Sequence, residues 1–293
     1  MMQPEINDSV NDMDHSASSS VVCRLCGSSA LHLHYTQGNS DEFSFYRCSV
    51  CKLVNYDLSG GLDQEKYEQS FDDPLDEGIR TNRAKTATFE FLARHLPGRG
   101  RLLEIGCGNG RLLHLSRQAG WTVSGLEISA FLAQEVTRRL GIPVIVADIG
   151  EYEMTSRPND DKYDLIVLRH VLEHLPDPRS VMAVIRSLLV EEGHVLLEFP
   201  NIEGLDCQCK RWLRRMRLMH KKYPPSYKPG HCNEYCRKSF QYLVDQTGFA
   251  LVTWETYSHD RIRNLLFNQW HIGGKVRTII RKKPRNARVS ASR

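Results

Sequence analysis

With 293 residues, 41% of them hydrophobic and 25% charged, the chain can bury a sizeable core as one large domain or two smaller ones, in the manner of a soluble globular protein. A formal net charge of +4 does not demand a nucleic-acid partner, and no run approaches the roughly twenty apolar residues that span a bilayer. The first twenty residues lack the basic start and apolar middle of a secretory leader, so the expected compartment is the cytoplasm, where the nine cysteines serve as thiols or metal ligands rather than disulfides.

In chain order, the Ser-rich, acidic residues 1–20 read as a disordered lead. Residues 21–58 carry Cys23-x-x-Cys26 and Cys48-x-x-Cys51, joined by strand-like runs such as "EFSFYRC". Each pair fits a tight knuckle, and four thiolates make a closed tetrahedral zinc site that folds a small module and leaves no open position for catalysis. His32 and His34 between the pairs are surplus to it. The glycine-interrupted, acidic residues 59–79 read as a linker, and "TNRAKTATFEFLARHL" as a helix with Ala84, Ala87, Phe91 and Leu92 near one face.

From there strand and helix patterns alternate: "RLLEI", then "GRLLHLSRQAG", "WTVSGLE", "SAFLAQEVTRRLG" with Ser129 as N-cap and Gly141 as stop, "PVIVAD", "YDLIVLR", "DPRSVMAVIRSLL" and "HVLLEF". The alternation predicts an α/β domain over 80–281, a Rossmann-like, doubly wound and mostly parallel sheet. Residues 201–235 interrupt it and are expected to form a cap over the site. Helix "RKSFQYLVDQTG" and strand "FALVTWETY" follow, with "VRTII" preferred over "NLLFN" as the last strand and 282–293 as a basic disordered tail.

Ligands of such sheets bind at the carboxyl ends of the strands. There stands "LLEIGCGNGRLL", whose Gly106, Gly108 and Gly110 allow a sharp turn and close backbone approach. The dinucleotide fingerprint wants its third glycine one position later, where Arg111 stands. Glu104 precedes the loop, and Glu127 and Asp148 end the next two strands, a spacing suited to ribose hydroxyls and then an amino-bearing base.

"LLEIGCGNG", "GLEIS", "VADI" and "YDLIVLRHVLEHLPDP" together resemble the class I S-adenosylmethionine-dependent methyltransferases, and the last is similar to their ubiquinone-biosynthesis branch. The cysteine pairs resemble a zinc ribbon placed ahead of some of these enzymes. The resemblance implies that Glu104, Gly106, Gly108 and Gly110 surround the methionine end of S-adenosylmethionine. It also implies that Glu127 meets the ribose, that Ile128 beside it belongs to the cofactor site, that Asp148 and Ile149 hold adenine, and that Arg169 and His170 lie beside the sulfonium.

A hydroxyl acceptor needs a base, and His174 and His231 are the candidates, with Glu173 able to orient a neighbouring histidine. Cys207, Cys209, Cys232 and Cys236 fit no common zinc module and read as isolated thiols, and Cys107 as a small loop residue. In "KRWLRRMRLMHKK", Trp212, Leu213, Met216 and Met219 form an apolar stripe on a basic helix. It either packs on the domain or meets phosphates of a nucleotide-sugar, a lipid-linked glycan or RNA. The function implied is methylation of a small molecule such as a sugar, glycan precursor or secondary metabolite. RNA methylation, with ribbon and basic helix holding the strand, is the alternative.

Overall fold

Aromatic residues at alternate positions of 43–56 and a two-residue strand far along the chain build the first layer. The computed structural model describes residues 21–63, 71–150, 152, 162–216, 218, 221–257 and 272–284. The lead, "NLLFN", Met219 and the tail from 285 lie outside the described residues. Strands β1 (Leu31–Gln37), β2 (Phe43–Cys48) and β3 (Val54–Tyr56) pair antiparallel, and β9 (Asn233–Glu234) adds to β3 as the fourth strand. Phe43, Phe45, Val54 and Tyr56 bury one face with Ile202 and Cys236, and Tyr35 stacks on Phe45 at 4.5 Å.

The described part of the insertion 201–235 packs on the ribbon, and its end at Gly230 and His231 meets His174. Its helix α5 (Leu205–Arg215) leads to Tyr223 and Tyr227, which hydrogen-bond Asn39 and Gln37, and then to β9. The ribbon also shares a core with the larger domain, since Leu25 and Leu53 belong to one buried cluster with Leu168, Phe199, Tyr235 and Phe240. That continuity buries apolar surface between the two modules.

The larger sheet runs β10-β11-β8-β7-β4-β5-β6. Its parallel part is β4 (Arg101–Ile105), β5 (Thr122–Glu127), β6 (Val144–Val146), β7 (Tyr163–Arg169) and β8 (Leu189–Pro200). The strands β10 (Phe249–Tyr257) and β11 (Lys275–Lys282) close one edge antiparallel. β11 contains the preferred "VRTII". The continuous apolar runs of β4, β7 and β8 follow from burial on both faces.

Helices α1 (Arg80–His95), α2 (Arg111–Gln118), α3 (Ala130–Leu140), α4 (Pro178–Leu188) and α6 (Arg237–Gln246) cover the sheet. Ser129 caps α3 by accepting from the Leu132 amide at 3.3 Å, and Gly141 ends it in the left-handed region, as the sequence indicates. The order turns back between β4 and β7, a switch point that opens a crevice at the carboxyl ends.

Beneath that crevice β7, β8, β11 and α1 are joined by one buried carboxylate. Glu198 accepts from the Arg169 guanidinium at 2.8 Å, from the Thr88 hydroxyl at 2.7 Å and from Arg277. Burial alone would raise this carboxyl, but Arg169 and Arg277 outweigh burial and hold it down to about 2. Its contribution to stability is complete above the unfolded value of 4.5 and is lost as pH falls toward about 2. Glu198→Gln leaves two buried guanidinium groups without their anion and is expected to lower the unfolding free energy by about 3–5 kcal/mol in urea at neutral pH. A change below about 1 kcal/mol would show that the network behaves as a solvated pair.

Candidate functional site

The loop after β4 is shaped by glycines at positive φ. Gly106 (φ 69°) has no room for a side chain, because a Cβ would stand 2.6 Å from Val171. Gly110 (φ 75°) opens α2, and a Cβ there would stand 2.9 Å from Val136 of α3, so it serves packing behind the loop. Gly108 lies between them, and its amide donates to the Glu127 carboxylate at 2.8 Å. The other Glu127 oxygen accepts from the Ser129 amide at 3.2 Å. Two backbone donors thus fix the carboxylate that ends β5 while it faces the crevice.

That crevice is a cavity of about 910 Å³, a volume suited to a small ligand. Its wall runs from Asp148, Ile149 and Ile128 past Glu127, Gly106 and Gly108 to Arg169, His170 and His174. Asp148 is exposed and accepts from the Gly150 amide at 2.6 Å, whereas Ile149 is buried. Gly110 and Glu104 are outside the lining. Glu104 lies fully buried at the end of β4, and neither carboxylate oxygen has a hydrogen-bond partner. Burial pushes its carboxyl up to about 7 against the pull of Lys85 and Arg169.

Sequence reasoning missed the wall that α1 supplies. Arg80, Thr81, Ala84 and Lys85 line the cavity opposite the strand ends, and Lys85 donates to the Asn109 side chain at 2.6 Å and to the Cys107 carbonyl at 3.3 Å. The i, i+3, i+4 spacing of Thr81, Ala84 and Lys85 marks one helix face and was the available signal. Lys275 at the start of β11 also lines the cavity.

Past β7 the backbone turns through His170 at φ 55°, a conformation uncommon outside glycine. Its amide donates to the Glu198 carbonyl at 2.8 Å, and its ring Nδ1 meets Glu173 Oε1 at 3.1 Å. Glu173 is buried, its Oε2 has no hydrogen-bond partner, and His170, His231 and His174 together overcome burial to lower its carboxyl. His174 Nδ1 donates to the Gly230 carbonyl at 2.6 Å, and its ring meets that of His231 edge-on at 4.9 Å. His231 lies outside the lining, and burial lowers its imidazolium. Ligand atoms of Glu173, His174 and His231 fall within 4.8 Å of one another, a donor set with metal-binding capacity.

The four ribbon cysteines form the other such group. All four Sγ atoms lie within 4.8 Å of one another, with Cys23 and Cys51 3.4 Å apart and Cys26 and Cys48 3.5 Å apart. The Cys51 thiol beside it lowers Cys23 to about 5, toward the thiolate a metal takes. Among the described residues, Cys207, Cys209, Cys232 and Cys236 join no such group.

The ribbon reaches the turn that carries Glu173 and His174 through its first knuckle. Arg24 donates to the Cys232 carbonyl at 3.0 Å and the Tyr56 carbonyl at 2.5 Å, while the Cys232 amide donates to the Glu173 carbonyl at 3.0 Å. The basic helix α5 stands apart: Trp212 and Met216 are exposed, Leu213 is half-buried, and among its described side chains none lines the cavity. No helix among the described residues is long and apolar enough to cross a membrane.

A family model described as a methyltransferase domain matches residues 76–253. Among curated proteins, the chain is 34% identical over 102 residues to the ubiquinone biosynthesis O-methyltransferase of Serratia proteamaculans, covering 34% of this chain and 42% of that protein. It is 32% identical over 113 residues to the Bordetella avium protein of the same name, covering 38% and 46%. The chain thus spans about half the length of the curated relatives it matches. Two solved structures share the fold. The PH0226 protein of Pyrococcus horikoshii has TM-score 0.55 and 17% identity, covering 75% of this chain and 100% of that one. The N-methyltransferase NodS of Bradyrhizobium japonicum, in complex with S-adenosyl-L-homocysteine, has TM-score 0.50 and 16% identity, covering 74% and 95%.

The unpartnered Glu104 has a measurable signature. Its proton is held to about 7 in the folded chain but lost near 4.5 on unfolding, so the folded form binds more protons in that interval and loses stability as pH rises through it. Relative to the parent, Glu104→Gln is expected to gain in unfolding midpoint from pH 4.5 to 7 and to level off above. A difference that stays constant over the interval contradicts the buried, unpartnered carboxylate.

Proposed function

Because the chain belongs to the methyltransferase-domain family, we propose that it transfers a methyl group from S-adenosylmethionine to a small-molecule acceptor, a hydroxyl or carbon of a sugar, glycan precursor or secondary metabolite. The observation that carries this reading is the Glu127 carboxylate, fixed by the Gly108 and Ser129 amides at the centre of a cavity with Asp148 and Ile149 at one end and His170 and His174 at the other. Each Glu127 oxygen keeps a lone pair for a ribose hydroxyl. Ile128 and Ile149 offer apolar surface to adenine, and Asp148 accepts from its amino group. The orphaned oxygens of Glu104 beneath the loop fit an ammonium at the methionine end, and the absence of a side chain at Gly106 and Gly108 lets the ligand approach the backbone. Arg169, tied to Glu198, and His170 fix the strand end beside the methyl group.

S-adenosylmethionine, when bound, supplies a methyl group already activated on a sulfonium. The protein aligns the acceptor and excludes water. His174, on the cavity wall, is the base placed to take the hydroxyl proton, and His231 stands behind it ring to ring as the second base of the pair, its imidazolium disfavoured by burial and favoured by the buried Glu173 carboxylate. A small acceptor is favoured over RNA because α1 and the strand ends wall the cavity, while Lys210, Arg211 and Arg214 of α5 lie outside its lining. The exposed Trp212, Met216 and Leu218 on this basic segment are compatible with a phosphate-bearing or lipid-linked acceptor. For the ribbon, four clustered thiols fit structural zinc held by Cys23, Cys26, Cys48 and Cys51.

Calorimetric titration tests the cofactor reading. Micromolar binding of S-adenosylmethionine is expected with none of NADH; Glu127→Ala abolishes it, while His231→Ala keeps binding and slows transfer about 10²–10⁴-fold. Undiminished affinity in Glu127→Ala would remove the ribose assignment. Purified protein is further expected to carry about one zinc per chain, and a metal-free preparation with an intact ribbon by NMR would contradict the four-thiolate site.

A further inference from the structure

Four lysines and arginines line the cavity, and they differ in what holds them. Arg169 is paired with Glu198, and Lys85 is hydrogen-bonded within the glycine loop. Arg80 and Lys275 line the same cavity, and their side chains make no hydrogen bond or ion pair to the described residues. Lys275 is half-buried, and the charges around it are Glu198, Arg169, Arg80 and Glu173. Both carboxylates are committed elsewhere, Glu198 to two arginines and Glu173 to His170. Burial accordingly lowers the Lys275 ammonium. A partly desolvated cation without an anion is costly, so one held in place at a cavity wall is a site for an anionic ligand.

Position identifies whose anion it is. Lys275 pairs with Pro200, where β8 ends, two residues from the Arg277–Glu198 register that adjoins Arg169. Its backbone is fixed by Asn201, whose amide donates to the Gly274 carbonyl at 2.9 Å and whose side chain donates to the Gly273 carbonyl at 3.0 Å. In the sheet order β11 lies beyond β8 and β7, on the opposite side of the glycine loop from β6 and the Asp148–Ile149 end. The cation at the loop itself is Lys85, whose Nζ would stand 3.3 Å from a Cβ at Gly108. The end that the cofactor reading leaves for the acceptor is therefore the end that carries Lys275.

We propose that Lys275, together with Arg80, holds an anionic group of the acceptor, a carboxylate or a phosphate, at the end of the cavity remote from Asp148 and Ile149. The inference rests on the methyltransferase reading above and narrows its acceptor to an anionic small molecule. It locates recognition inside the cavity instead of on the basic helix α5. A lysine suits a carboxylate or phosphate as a point charge, and Arg80 on α1 adds a planar donor from the other wall.

The test uses full-length protein saturated with S-adenosylhomocysteine, titrated with three ring-matched probes: benzoate, phenyl phosphate and neutral benzamide. At least one anion is expected to bind about ten-fold tighter than benzamide, and which of the two does so names the group. The preference is expected to collapse toward unity in Lys275→Gln and to survive in Lys275→Arg, with S-adenosylhomocysteine affinity unchanged and the unfolding midpoint not lowered in either. Equal affinity for all three probes, or an anion preference that persists in Lys275→Gln, overturns the proposal. Loss of S-adenosylhomocysteine affinity in Lys275→Gln also overturns it and assigns the lysine to the cofactor. Failure of the parent to bind S-adenosylhomocysteine at all is a different result, which sinks the methyltransferase reading instead.

Discussion

The end of the cavity that carries Lys275 depends on the burial of one carboxylate between two guanidinium groups. Glu198 faces Arg169 on one neighbouring strand and Arg277 on the other, and Thr88 brings α1 to the same point. Charge pairs of this kind gain little net free energy over a well-packed apolar cluster, and their effect is mainly geometric. Through this pair β7, β8, β11 and α1 share one register. The same Glu198 offers its carbonyl to the His170 amide, so the turn carrying His170, Glu173 and His174 starts from a fixed position. Lys275 precedes Arg277 by two residues and inherits the same restraint.

A second restraint comes from the ribbon, which a linear reading separates from the larger domain. Asn233–Glu234 completes the ribbon sheet, and the residues on either side of that strand belong to the larger domain. Cys232 accepts from Arg24 in the first cysteine knuckle and donates to the Glu173 backbone, while Asn233 donates to the Leu175 carbonyl at 2.6 Å. His231 stands directly before that junction. The cysteine module is thus a wall of the site's supporting structure, and the flat division at residues 58 and 80 understates how much the two share.

What the sequence made legible follows physical periodicity. The apolar runs and helix stripes gave the order of elements, Ser129 and Gly141 marked the ends of α3, and the glycines after "RLLEI" marked the turn, because each of these signals is local. The cysteine pairs were equally local, and their sulfurs do converge. The remaining features are set by tertiary contacts. A two-residue strand such as β9 has no period to detect, and its partner lies in another module. Glu198 sits inside the apolar run "HVLLEF" and reads as a surface acid until both flanking arginines are in view. Arg80, Lys85 and Lys275 acquire a role only because α1 and β11 meet at one cavity. Tyr223 and Tyr227 hold the insertion to the β1–β2 hairpin and β9 joins it to the β3 edge, contacts that no local pattern announces.

That edge has a consequence for how the chain is made. Val54 and Glu234 are 180 residues apart, so β3 leaves the ribosome long before its partner exists. At about 5–20 residues per second the interval is about 9–36 s. During that time Val54, Asn55 and Tyr56, all fully buried in the finished fold, present an unpaired strand edge to the solvent. The late arrival of residues 233 and 234 covers it. The order of synthesis thus makes the last stretch of the insertion the step that protects the first module from pairing with another chain.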